Sequence, residues 1–595
     1  MTMRMPRART FEVGLVMAGA VSAGAYTAGV VDFLLQSLDA WEQAKQTRAV
    51  GIPDHTVQIR AAAGSSAGGI VSALTAMIPF TGHHPITDLA AARSAASPAN
   101  AERNLLYRCW VRDIDIRSLL KTSDLDAAAG GVSSLLNGRA VAAVADAAVA
   151  NVRAAIAGGS RRCAPAYFAN PLQLYLCLTN MRGLPYVIEM VTAGGVRGHR
   201  VTTHADYAQF AVHGAGAGAA EPLYPGVVAV NWPGTAGIES IDGWGRLRDA
   251  ALATSAFPGG LPARSFANTA AFYQARPWAR PADVSADEAG PVINPDVVCA
   301  PGLPYEFWCV DGGLINNEPV EYARIALAGG RNVHNARDAR QSDRAVLMID
   351  PLPEDEGCVD PGCGAAPDIV EALFSMFATL RRQARFKPQE VMLAMHEDVH
   401  SRFLIAPLRP DKLPSQTDLA SVGLSGFVGF VNEQLRMHDF QLGRRNCQKF
   451  LRDHFVVHIE NPIVAPWVEQ GRAAGLDLSD YHPRRDAAGG GGELDDDFVQ
   501  LIPLFGDARK PVALRPWPRL DPGEVSPILD MIDRRVGKIM PEFVHSLLKR
   551  IGIDDHCFAN RVVGMIAGRV IRDRLLATAG TAIQADLLAR GLLDR

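Results

Sequence analysis

The hexapeptide Gly64-Ser65-Ser66-Ala67-Gly68-Gly69 lies where an apolar segment runs into a helical one, the setting in which a serine is exposed as a nucleophile on a tight strand-to-helix turn. Ser66 is the candidate. Backbone angles in such a turn are strained, so the positions two before and two after the serine must be nearly free of side chain, as Gly64 and Gly68 are. Ser65, flanked by Ala63 and Ala67, fails that test. An ordinary glycine-rich loop matches the same pattern by chance, so support must come from elsewhere. A second reactive group is Asp311, which Tyr305-Glu306-Phe307-Trp308-Cys309-Val310 delivers into Gly312-Gly313; a carboxylate at a strand end is well placed for chemistry. A third is the run of small residues Ala18-Gly19-Ala20-Val21-Ser22-Ala23-Gly24, where backbone N–H groups can approach a ligand oxygen closely, as an oxyanion hole requires.

These groups need particular elements beneath them. Residues 57–63 predict a strand and residues 70–77 a helix that stops before Pro79, which lacks a backbone donor. Residues 11–17 predict an apolar strand, and a helix follows from Ala25 to about Leu38. Residues 305–310 read as a buried strand, and residues 345–350 and 172–178 as further strands. Ser66 and Asp311 lie far apart in the chain, and a three-layer α/β/α sheet brings such positions together.

At these residues the chain resembles the patatin-like phospholipases, lipid acyl hydrolases with a Ser-Asp dyad, in a bacterial form with a long carboxyl-terminal extension. Four segments carry the resemblance in the family's order. They are the Gly64 to Gly68 turn, Asp311-Gly312-Gly313 with Asn317 and Pro319, the Gly19 to Gly24 loop with Gly29, and Ala253-Thr254-Ser255-Ala256-Phe257-Pro258. Together they span about residues 11–350. The resemblance implies Ser66 as nucleophile, Asp311 as base, and the backbone of Gly19, Ala20 and Val21 as the oxyanion hole, with Gly64, Gly68, Gly312 and Gly313 shaping the turns. It implies carboxylic esters of phospholipids or related lipids as substrates, no cofactor and no metal. The chain departs from the family's G-G-G-x-R-G loop: the arginine is absent, and β-branched Val21 restricts the backbone more than glycine does. A non-catalytic lipid-binding protein on the same fold is the alternative that this departure suggests.

Other chemistries are weaker. A Ser-Asp-His triad needs a histidine after Asp311, and neither His334, His396, His438, His454 nor His458 is marked by its surroundings. His396-Glu397-Asp398-Val399-His400 is a literal H-E-x-x-H zinc motif, but Asp398 puts a charge inside it and no third ligand follows closely; a solvent-facing charged helix is the preferred reading. Nine cysteines form a scattered set with only Cys358 and Cys363 near one another, which fits reduced thiols.

Fifty-nine basic against 63 acidic residues give a net charge of −4, which argues against nucleic acid as the main partner. A length of 595 residues, 48% of them hydrophobic, suffices for a large core and at least two domains. The expected organisation is a catalytic domain over 1–365 with a helical insertion at about 81–165, then a mainly helical region over 366–595 with a Gly/Asp-rich linker at about 486–497. Arg4, Arg7 and Arg9 before an apolar run imitate a secretory signal, but cleavage there would remove the first strand and the oxyanion loop. No uninterrupted apolar run of membrane-spanning length appears, so the expected location is cytoplasmic with peripheral membrane contact. Candidates for that contact are the amphipathic helix over 368–387, whose commoner use is packing on the core, the segment Gly426-Phe427-Val428-Gly429-Phe430, and Arg444-Arg445.

Overall fold

The computed structural model describes residues 9–49, 51–87, 102–125, 132–158, 165–216, 227–231, 242–274, 276, 293–297, 304–328, 335–352, 399–411, 418–485, 493–550 and 580–593. The helix expected over 368–387, the motif residues His396 to Asp398, His334, Cys358, Cys363 and most of the expected linker lie outside them.

Among the described residues, nine strands form one mostly parallel sheet flanked by helices. Seven are β1 (Thr10–Met17), β2 (Thr56–Gly64), β3 (Phe168–Thr192), β4 (Gly195–Val212), β5 (Val228–Val230), β8 (Arg344–Ile349) and β9 (Arg402–Ile405), in the order β5-β4-β3-β2-β1-β8-β9. The others, β6 (Arg264–Thr269) and β7 (Pro304–Asp311), join through β3. All eight residues of β1 are buried, as expected for the apolar middle strand of a parallel sheet covered by helices. Its one acid, Glu12, lies 3.9 Å from the buried guanidinium of Arg60. Beyond the boundary expected at 365, β9 pairs in parallel with β8 and widens the same sheet.

The main helices are α1 (Gly24–Lys45), α2 (Ala67–Thr81), α3 (Gly138–Ala157), α4 (Gly243–Thr254), α5 (Val320–Ala328) and α6 (Glu433–Asp453). α6 packs along α1, and α3 packs on α2 and α4. Between Thr81 and Pro165 the described residues are largely helical and include a π-helical stretch, Arg108–Asp113. By length and composition α3 could cross a membrane; it carries Arg139, Asp146 and Arg153, and it buries Ala148, Val149 and Val152.

The structure revises several expected boundaries. α2 continues through Pro79 to Thr81, because a proline in the last turn forfeits one backbone bond and Gly82 closes the helix on the Ile78 carbonyl at 2.8 Å. α1 runs to Lys45, beyond the expected end near Leu38. β7 is half-buried, not buried: its inward residues alternate with exposed Glu306 and Trp308. β3 is much longer than residues 172–178, because it runs on past buried Leu184 and Tyr186 into a far end, from Val187, that is largely exposed and sets no inward period.

Candidate active site

The register of β3 explains how Ser66 meets Asp311. β2 runs parallel to β3 and ends with Gly64 opposite Leu176; β7 runs antiparallel along the same edge and ends with Asp311 opposite Leu178. The two strands thus point their carboxyl ends at each other, about 7 Å apart along the edge of β3. The turn after β2 fills that gap.

Ser66 sits in the turn with φ 52° and ψ −124°, a left-handed backbone that serine seldom adopts. Its N–H donates to Thr254 Oγ1 at 3.0 Å, and its Oγ donates to Asp311 Oδ2 at 2.5 Å. The other carboxylate oxygen of Asp311 accepts from the Gly313 N–H at 2.7 Å. The backbone of Asp311 is held as well: its N–H donates to the Ala256 carbonyl at 2.9 Å, and its carbonyl accepts from Thr179 Oγ1 at 2.8 Å. Asp311 is 4% exposed. Glycine is needed at 64 and 68 because a Cβ on either would run into backbone: that of Gly68 from position 64, and that of Met17 from position 68. Ser65 is buried behind the turn, its N–H on the Met17 carbonyl at 3.2 Å.

The loop after β1 borders the same mouth, where Gly19, Ala20 and Val21 join Ser66, Asp311, Gly313 and Asn317. The Gly19 N–H is engaged by the Asn317 carbonyl at 3.4 Å, whereas the Ala20 and Val21 N–H groups have no protein acceptor among the described residues. Val21 has φ 49°, an outlier for a β-branched residue. α2 starts directly after Ser66, so its amino-terminal dipole adds positive potential at this spot.

From Ser66 an apolar pocket of about 70 Å³ runs inward between Ile70, Trp110, Ile114, Val141, Phe257 and Phe430. A second, of about 40 Å³, shares Ile70, Ile114 and Val141 with it and continues toward Met77, Val149 and Leu252. The two adjoin across these shared side chains between α2, α3 and α4, with Arg248 also lining the second, and are referred to together as the channel. Asp311 is the one charged side chain lining the first pocket among the described residues. Cys109 borders the second, and burial pushes its thiol up to about 12, so it stays neutral.

Other predicted residues lie elsewhere. Arg444 cannot meet a lipid headgroup, because it is buried in an ion pair with Asp32 and donates to Gln36 Oε1 at 2.5 Å. Arg445 donates to the Val512 carbonyl at 2.8 Å. His438 is buried between Arg409 and Asp439, and His458 contacts Arg340 and Glu460; neither borders the pockets described. The segment at 426–430 contributes Phe427 and Phe430 to the pocket wall. Among the described residues no group of three metal-binding side chains occurs, and the described cysteines Cys109, Cys177, Cys309 and Cys447 are free thiols. Sequence reasoning missed the hydroxyls of Thr254 and Thr179; the first lies inside the Ala253 to Pro258 motif, which was the available signal.

No protein-family model matches the chain. It is 36% identical over 566 residues to "Uncharacterized protein y4iI" of Sinorhizobium fredii (strain NBRC 101917 / NGR234), a match that covers 89% of this chain and 75% of that protein.

Proposed function

The chain belongs to the family of the Sinorhizobium fredii protein y4iI, and we propose that it is a serine acyl hydrolase of the patatin-like kind, cleaving carboxylic esters of phospholipids or related lipids. The observation that carries this reading is the 2.5 Å contact from Ser66 Oγ to Asp311 Oδ2 at the mouth of an apolar channel. In this mechanism Ser66 Oγ bonds to the ester carbonyl carbon while its proton passes to Asp311 Oδ2. The oxygen of the tetrahedral intermediate gains negative charge, which the free N–H groups of Ala20 and Val21 and the start of α2 stabilise. The C–O bond then breaks, and the departing alcohol takes the proton from Asp311. Water repeats the sequence on the acyl-enzyme and releases the acid. The acyl chain occupies the channel beside Ile70 and Val141.

The fold supports the same reading through Thr254, Ala256 and Gly313, which fix the dyad through backbone contacts and leave both reacting oxygens in place. The test is hydrolysis of short-chain esters and phospholipids, with fluorophosphonate labelling, by wild type, Ser66→Ala and Asp311→Asn. Wild type should hydrolyse and label, Ser66→Ala should do neither, and Asp311→Asn should lose roughly a hundredfold or more in rate. Wild type that binds lipid but neither labels nor turns over would make this a lipid-binding protein instead.

A further inference from the structure

β3 and β4 leave the sheet as a ribbon. Val187 pairs with Arg200, Met190 with Arg197 and Val191 with Val196, and the chain reverses between Thr192 and Gly195. The far edge of β3 is covered by β2 as far as Leu176 and by β7 as far as Asn180, and β5 covers β4 only at Phe210 to Val212. The last support beyond these is a single bridge from Tyr186 to Pro295. Past Val187 the ribbon has no strand neighbour among the described residues, and it extends about 17 Å further. A two-stranded hairpin alone in water is marginal, so this one has reason to meet something.

Its composition says what. Val191 is 87% exposed and Val196, its cross-strand partner, 64%; Met190 and Val187 are exposed beside them. Scattered exposed apolar residues are ordinary, but three gathered at the end of a projection are not. Between Arg182 and His204 there are three arginines and one glutamate, in a chain whose net charge is −4. Arg200 is held by Asp296 at 2.6 Å, and Arg182 lies over the Tyr305 ring at 4.1 Å. Arg197, beside the tip, has no acidic partner among the described residues. The direction matters too: β3 passes Gly64 and then Asp311 before forming the ribbon, so the projection stands on the sheet edge that carries Ser66.

We propose that the ribbon is a docking prong for an anionic lipid bilayer, with Met190, Val191 and Val196 entering the headgroup region and Arg197 meeting lipid phosphate. Apolar residues at the extremity with a cation beside them match a bilayer surface, where acyl chains and lipid phosphates lie close together. Strand addition by a second copy fits less well, since Arg197, Gly198 and Arg200 along the β4 edge disfavour pairing.

Flotation of the full chain with vesicles of equal parts phosphatidylcholine and phosphatidylglycerol, against phosphatidylcholine alone, tests this without turnover, so it stands or falls separately from the hydrolase reading. Wild type should float with the anionic vesicles, and less so at high salt. Val191→Asp/Val196→Asp should reduce the bound fraction about tenfold or more, and Arg197→Glu by a smaller factor. Both variants should keep the wild-type melting temperature, because the altered side chains lie outside the core. Wild type that ignores anionic vesicles, or variants that float as well as wild type, would overturn the proposal. So would a double variant that loses only self-association.

Discussion

Two residues at the mouth of the channel, Ser66 at φ 52° and Val21 at φ 49°, hold left-handed backbones without being glycine. For Ser66 the strain projects Oγ toward Asp311. For Val21 it costs about 1–3 kcal/mol, sustained by packing on the Ile114, Leu119 and Phe430 cluster and against Gly426, where an added Cβ would come within 3.1 Å of Val21 Cβ. This inverts an ordinary ranking. Val21→Ala and Val21→Gly lose nearly the same packing, but only glycine relaxes the backbone, so Val21→Gly should be the more stable by about 1 kcal/mol in urea unfolding. An alanine variant that matched or exceeded it would show that the strain is absent. Residue-scale legibility in the sequence was uneven. Ser66, Gly64 and Gly68 stand out because the turn tolerates few residue types. Asp311 is visible only through its place at a strand end beside two glycines. Thr254 and Thr179 act through hydroxyl contacts to backbone that any threonine could make, so their types alone do not mark them.

Among the elements, the α1–α6 pair shows two helices brought close through glycine. A Cβ at Gly29 would strike the backbone of Phe440, and one at Gly443 the backbone of Tyr26. Alanine ordinarily stabilises a helix over glycine by up to about 1 kcal/mol. Gly29→Ala should instead destabilise by about 1–3 kcal/mol, read as a lower thermal midpoint, because α6 must shift outward; a raised midpoint would contradict the close packing. The channel offers a second test at this scale. Val141 on α3 lines both of its sections, so Val141→Trp should block the passage between them. On the proposed function, hydrolysis of a palmitate ester should then fall at least about tenfold, while a butyrate ester is spared; equal losses on both would place the acyl chain elsewhere. The buried strands β1, β2 and β8 were legible because apolar runs bounded by turn residues leave little choice. The β3–β4 ribbon was not, since a segment exposed on both faces has no inward side to set a period.

Across the whole molecule, distant segments of the chain are tied together by buried polar contacts. His55, just before β2, has its Nε2 2.9 Å from the Leu501 carbonyl and its ring 4.7 Å from that of Trp41. Burial lowers its pKa to about 4, so the folded protein keeps it neutral where an unfolded chain, near 6.5, would take up a proton. The stability this gives is complete above pH 6.5 and is lost as pH falls toward 4, by up to about 3 kcal/mol. His55→Gln, which retains a donor but does not titrate, should flatten the fall in unfolding free energy across that window by about one proton; an unchanged slope would exclude His55 as its source. The sheet order adds a consequence for synthesis. Of the described strands β1 leaves the ribosome first, yet it lies inside the sheet, between β2 and a strand made some 330 residues later, with β9 later still. At about 5–20 residues per second, that apolar strand waits on the order of tens of seconds for its second neighbour. Until then one edge of β1 stays open on every growing chain, and the hazard it presents is set by the rate of translation.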